Sequence, residues 1–177
     1  MKQAKTVSTK LKYCFYGLSV LGVLVGVISC KNNSQLASVP VHACDHLAAD
    51  PEDPGRFTTV SGVPSEALAV EANVLAAISV CTEANEKYPD NPRFAYQLGR
   101  ALAAAGMAED AEPFLITAAE TGYAAAFAIL GDLSDDSEES NEFYEIAAAR
   151  GYGPAKRYLE QVTKTPATNV AIKPRGS

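Results

Sequence analysis

The chain has 177 residues, enough for one modest domain with appended segments. It is rich in alanine, contains no tryptophan and, outside its N-terminus, lacks the alternation of valine, isoleucine and threonine that is typical of strands, so an all-helical fold is favoured. The formal net charge is −6, and the residues after position 29 carry −10, because four of the 15 basic residues and none of the 21 acidic residues precede them. A body this acidic argues against nucleic acid as a partner, since phosphate binding requires a basic surface.

Residues 1–29 have the pattern of a secretory signal, with a basic start followed by the short apolar stretch 18–28. The stretch ends in Val27-Ile28-Ser29-Cys30, which resembles a bacterial lipobox, a motif whose cysteine receives a lipid. We therefore predict a lipoprotein-type signal peptide over residues 1–29 and lipidation of Cys30. The predicted location is the periplasmic side of the inner or outer membrane of a bacterial cell envelope.

Two alternatives for the N-terminus stay open. In the first, residues 14–28 form an uncleaved membrane anchor, although this stretch is short for a span of roughly 20 residues. In the second, Cys30 follows an ordinary cleavage site by chance. All three interpretations place the body outside the cytoplasm, beyond a polar tether over residues 30–43.

Counting the cysteines leaves one pair in the body. Cys14 is removed with the signal and Cys30 is lipidated, so Cys44 and Cys81 remain in an oxidising compartment. A disulfide between them closes a loop of roughly 40 residues, which stabilises the fold by about 3–4 kcal/mol in the chain-entropy description. The alternative is that the two thiols stay reduced.

The body, residues 44–163, is predicted as a helical-repeat domain with an irregular N-terminal cap over residues 44–72, where Pro51 and Pro54 interrupt any helix. Apolar residues at intervals of three and four predict the repeat helices within residues 73–163. Their predicted ranges are 73–88, 92–105, 109–121 and 124–133, with two more helices after the acidic stretch 135–139 and after residue 152. Pro113 is discordant and is expected to shift the start of the third helix toward Glu112. Residues 164–177 are predicted to be a flexible tail.

A short repeat runs through the second half of the body. Residues 118–126 (AAETGYAAA) recur as residues 147–155 (AAARGYGPA), at an offset of 29, and Leu130 and Leu159 correspond at the same offset. Self-similarity at such a period is typical of stacked helical hairpins, each of which buries its apolar face only against a neighbour.

These residues resemble tetratricopeptide-like repeats and, more closely, the Sel-one-like subfamily, whose pattern appears as Ala118-Ala119, Gly122, Ala126 and Leu130-Gly131. The opening over residues 44–49 and the stretch 91–102 also look like secreted bacterial proteins with such repeats. The resemblance implies a short αα solenoid of two to two and a half hairpins, a paired Cys44 and Cys81, and a protein–protein interaction module. The first hairpin lacks a recognisable first helix, which departs from the family pattern.

The resemblance places the first helix of each hairpin on a concave face, and on this register Arg93, Tyr96 and Arg100 line a partner-binding groove. Two guanidinium groups around a phenol suit a carboxylate or an extended acidic peptide. The alternative is that the two arginines pair with acids of the body such as Glu120 or Asp132.

No catalytic residue, metal site or cofactor is predicted. His42, Cys44 and His46 lie at helical spacing, but zinc needs further ligands and no second cluster accompanies them. Nucleophile motifs and glycine-rich phosphate loops are absent from the sequence. The predicted function is therefore an envelope adaptor or scaffold that binds a protein or peptide. The alternative is a small ligand-binding protein whose Arg93, Tyr96 and Arg100 hold an anionic small molecule.

Overall fold

The computed structural model of the protein describes residues 39–164. The predicted signal peptide, Cys30, most of the tether and the tail after residue 164 lie outside the described residues. The described part contains eight helices: α1 Ala43–Ala48, α2 Ser65–Leu68, α3 Glu71–Lys87, α4 Pro92–Ala104, α5 Ala108–Glu120, α6 Ala124–Leu133, α7 Ser137–Ala149 and α8 Gly153–Lys164.

The helices stack as a short αα solenoid, so the predicted fold class is confirmed. From α3 onward each helix packs on the next, and α4 also contacts α6, two helices along the chain. That second contact sets the first helices of neighbouring hairpins side by side, as in helical repeats. No strand occurs between residues 39 and 164.

The glycines of the Leu98-Gly99 and Leu130-Gly131 pairs lie where neighbouring helices approach closely. A Cβ atom added at Gly99 would lie 2.7 Å from Cγ of Leu115 on α5, and one added at Gly131 would lie 3.0 Å from the carbonyl oxygen of Ser140 on α7. Both glycines therefore provide the space that lets a hairpin close.

Polar residues between the helices cap them. The side chain of Asn91 accepts a hydrogen bond from the backbone of Arg93 at the start of α4, and Asp136 caps α7 in the same way. Gly122 follows the end of α5 and has a φ of 88°, a conformation that glycine adopts without strain.

The expected shift of the third repeat helix toward Glu112 is wrong. Helix α5 begins at Ala108 and continues through Pro113, five residues into the helix. Proline removes one backbone donor there, and packing of α5 against both α4 and α6 outweighs that local loss. Within residues 39–164, none of the helices is long and apolar enough to cross a membrane.

The start of the N-terminal cap lies against the first repeat helix. Helix α1 packs on α3 and α4. The Sγ atoms of Cys44 in α1 and Cys81 in α3 lie 2.04 Å apart, so the two predicted partners meet as a disulfide pair. This contact fixes the start of the cap against the first repeat helix.

Candidate functional site

The three side chains of the predicted groove lie together on α4, but they are not open to solvent. Arg93, Tyr96 and Arg100 are 1%, 0% and 4% exposed. The N-terminal cap covers them, so the expectation of an accessible groove is corrected. The physical reason is that three buried polar side chains need partners, and the acidic cap supplies them.

Arg93 is held by an acid and by two aromatic rings. Its Nε atom lies 3.0 Å from Oδ1 of Asp45, a buried ion pair. Its guanidinium group lies 4.4 Å from the ring centre of Phe57 and 4.5 Å from that of Phe94. Burial lowers the pKa of Arg93, and the nearby Asp45 carboxylate opposes that shift.

Arg100 binds the two ends of one loop of the cap. Its Nη1 atom donates to the carbonyl oxygen of Ala48 at 3.1 Å, and its Nη2 atom donates to that of Val63 at 2.7 Å. The backbone of Val63 also donates to the carbonyl oxygen of Ala49 at 2.7 Å. The arginine therefore closes residues 50–62 into a loop, which we call the acidic loop.

The first residues of the acidic loop, 50–53, which we call its tip, contact tyrosines on α4 and just before α6 and α8. Oδ2 of Asp50 accepts hydrogen bonds from Tyr96 at 3.2 Å and from Tyr152 at 2.6 Å. The Tyr123 hydroxyl donates to Oδ2 of Asp53, and its ring stacks on that of Tyr96 at 4.9 Å. Burial raises the pKa of all three phenols, so they stay protonated and act as donors.

Asp53 is the most perturbed acid of the site. Burial raises its pKa from 3.8 to about 6, and repulsion from Asp50 adds to the shift. Hydrogen bonds from Tyr123 and from the backbone of Gly55, together with the charge of Arg56, act in the opposite direction. Folding therefore favours the protonated carboxyl group between pH 4 and 6.

The edge of the site carries one exposed ion pair. Nη2 of Arg157 on α8 lies 2.6 and 2.7 Å from the two carboxylate oxygens of Glu52. About half of each side chain is exposed, so solvent screens this pair and its contribution to stability is small.

The alternative expectation for the arginines is correct in kind and wrong in its partners. Arg93 and Arg100 do pair within the chain, but with Asp45 and with backbone carbonyl oxygens rather than with Glu120 or Asp132. The acids of the cap lie more than 35 residues before α4 in sequence, so helical spacing alone does not reveal them.

Several site residues were not identified from the sequence. Tyr123 and Tyr152 bind the acids of the loop, and the repeated Gly-Tyr junction at an offset of 29 was the signal that could have identified them. Gln97 was also missed: its Nε2 atom donates to Asp45 at 2.9 Å. Its position on α4 between Arg93 and Arg100, at helical spacing from both, was its only signal.

The histidines of the cap have structural surroundings. His42 accepts a hydrogen bond from the backbone of Cys44 and so caps α1, and its ring packs against Phe94. Among residues 39–164, no three histidine, cysteine, aspartate or glutamate side chains are placed to hold a metal ion.

Residues 71–133 match a tetratricopeptide repeat family, which spans α3 to α6. Repeats of this family typically bind proteins and are generally not enzymes. The Sel-one-like subtype stays a prediction. No curated protein and no solved structure matches the chain.

Proposed function

We propose that the chain is an exported, lipid-anchored adaptor that holds a partner protein near a bacterial membrane. The observation that supports this most is the tetratricopeptide repeat match over residues 71–133, which coincides with stacked hairpins. Proteins with such hairpins present extended surfaces to other proteins. The acidic body does not suit nucleic acid.

The proposed cellular location rests on the sequence that precedes the described residues. The lipobox-like Val27-Ile28-Ser29-Cys30 supports lipidation, and a short polar stretch between Cys30 and α1 supports a tether. The Cys44–Cys81 pair is in keeping with an oxidising compartment outside the cytoplasm.

Lipidation is tested by labelling cells with a fatty acid analogue. Replacement Cys30→Ser is expected to abolish incorporation of the label, whereas Cys14→Ser, the matched control within the signal, leaves it intact. Equal labelling of the Cys30→Ser protein contradicts the lipid anchor.

The partner surface is proposed to include the apolar side chains that the fold leaves outside. Val70 and Leu75, next to and within the start of α3, are 53% and 58% exposed, and Met107 between α4 and α5 is 43% exposed. Large apolar side chains at the surface of a repeat protein are candidate contact points.

Photo-crosslinking in intact envelopes tests the adaptor function. A photoreactive phenylalanine analogue replaces Leu75 or Met107, with exposed Glu145 on α7 as the control position. We expect a discrete protein adduct from an apolar position and none from Glu145. Absence of adducts from Leu75 and Met107 contradicts an adaptor that binds through these positions.

The alternative of an anion carrier loses its support. It required Arg93, Tyr96 and Arg100 to be free for a small molecule, and each of the three already has a partner within the chain. The same contacts make the charge reversals Arg93→Glu and Arg100→Glu unsuitable as tests of partner binding, because each would bury an unpaired charge and destabilise the fold.

A further inference from the structure

The acidic loop, residues 50–62, has a closed neck that does not depend on its tip. The neck consists of the Val63–Ala49 backbone hydrogen bond and the two hydrogen bonds of Arg100. Gly62 packs there as well: a Cβ atom added to it would lie 2.7 Å from the backbone nitrogen of Pro51. A compact loop whose ends are this close can move without displacing the helices on either side of it.

The tip is held mainly by polar contacts. Tyr96 and Tyr152 donate to Asp50. Arg157 donates to Glu52, and Tyr123 donates to Asp53. In each contact the donor lies on the solenoid and the acceptor lies on the loop. Val60 is the one large apolar side chain of the loop that is buried, and the half-buried Phe57 packs its ring on the Arg93 guanidinium group at 4.4 Å. The other residues between the acids and Val60 are largely exposed.

We propose that the acidic loop is a lid that opens with loss of its internal hydrogen bonds while its neck and α1 stay in place, and that the row of donors beneath it binds an acidic peptide of a partner protein. This deepens the adaptor function proposed above and rests on it. The row consists of Tyr96, Tyr123, Tyr152 and Arg157.

The chemistry of the row defines the class of peptide. Three protonated phenols and one guanidinium group present donors, and their present ligands are three carboxylates within four consecutive positions, in the order Asp50, Glu52 and Asp53. A partner segment with the same spacing of acids would meet the same donors. The lid therefore occupies the place of the peptide that it excludes.

The loop is able to open because its contact with the solenoid through Asp53 is weakened at neutral pH. Burial and the nearby Asp50 raise the pKa of Asp53, so its ionised form is disfavoured in the closed position. The charged and titratable groups around it are Asp50, Arg56, Arg93 and Tyr123. Local opening of this kind draws on the least stable parts of a fold.

Amide hydrogen exchange of the full chain tests the lid. The amides of Gly55 and Val60 are hydrogen-bonded within the loop, and the amide of Val63 is hydrogen-bonded in the neck. We expect Gly55 and Val60 to exchange at least tenfold faster than Val63. Equal exchange of all three at the rate of the α4 amides would mean that the loop opens only on global unfolding, and the lid would be refuted.

A labelled synthetic peptide of residues 49–56 tests the binding row, with a twin in which its acids are replaced by amides. In the native chain the tethered loop competes at a high effective concentration, so the peptide binds weakly. The variant Asp50→Asn/Glu52→Gln removes the charges that accept from Tyr96, Tyr152 and Arg157, so it weakens the lid and is expected to bind the acidic peptide at least tenfold more tightly. The control Glu71→Gln/Glu83→Gln changes two exposed acids on α3 and should bind like the native chain.

The milder variant Glu52→Gln, at the exposed ion pair, keeps the test valid if the double variant fails to fold; it is expected to bind the peptide more tightly than the control. Equal binding of the two peptides, or of neither peptide by a folded variant, overturns the proposal. A variant that dimerises instead overturns the assignment to a partner protein, since a second copy then fills the row. All of these failures leave the crosslinking result at Leu75 unaffected, so the lid and the adaptor function are judged separately.

Discussion

Replacing Gly99 by alanine tests the close approach of α4 and α5 on which the first hairpin depends. The added Cβ atom would lie 2.7 Å from Cγ and 2.8 Å from Cδ2 of Leu115. Leu115 is fully buried and has no solvent-exposed position to move into. Overpacking of this kind costs about 1–3 kcal/mol, whereas alanine gains about 1 kcal/mol over glycine inside a helix. We therefore expect Gly99→Ala to lower the free energy of unfolding by about 1 kcal/mol, from these two opposing contributions.

The matched control is the same replacement in a Leu115→Ala background. Truncating Leu115 removes the atoms that the new methyl group would meet, so only the gain in helix propensity remains. In that background Gly99→Ala is expected to raise the free energy of unfolding by up to about 1 kcal/mol. Urea denaturation followed by circular dichroism measures all four proteins. Stabilisation of equal size in both backgrounds would refute the helix spacing described above.

Two further predictions concern the N-terminal cap. Because the pKa of Asp53 is raised from 3.8 to about 6 in the folded state, its ionisation destabilises the native chain as pH rises from 4 to 6. The loss of stability amounts to about 3 kcal/mol. Asp53→Asn should therefore flatten the profile of urea midpoints across that range, whereas parallel profiles of the two proteins would contradict the assignment. Mass spectrometry of the exported protein should find a peptide that links Cys44 to Cys81, and Cys44→Ala/Cys81→Ala should lower stability by about 3–4 kcal/mol; two free thiols in the exported protein would exclude the disulfide.

Helices α3 to α6 could be predicted because their information is local. Apolar spacing, N-caps such as Asn91 and the glycine at the end of each hairpin fix their ranges to within two residues. The two following helices were predicted without bounds, and α7 begins at Ser137, within the acidic stretch that was expected to precede it. Pro113 misled the prediction, because tertiary packing on both sides of α5 outweighs one lost backbone hydrogen bond.

The site could be predicted only in part. Arg93, Tyr96 and Arg100 share a face of α4, as expected, and their chemistry does select carboxylates and carbonyl oxygens. The occupant was not foreseen, because Asp45 and Asp50 lie in an irregular segment with no periodicity to place it against the helices. Long-range pairing of this kind depends on the whole fold rather than on any local pattern.

The central claim is that the chain's own acidic segment fills the groove of its helical repeats. The contact that tests it most directly joins Asp50 to Tyr152, which are 102 residues apart in sequence and 2.6 Å apart between their oxygen atoms. A double-mutant cycle of Asp50→Asn and Tyr152→Phe measures their coupling, with Tyr158→Phe as the control because Tyr158 stacks on Tyr144 instead. We expect a coupling of about 1.5–3 kcal/mol, the range for a hydrogen bond to a charged group. Additive effects of Asp50→Asn and Tyr152→Phe would contradict the account.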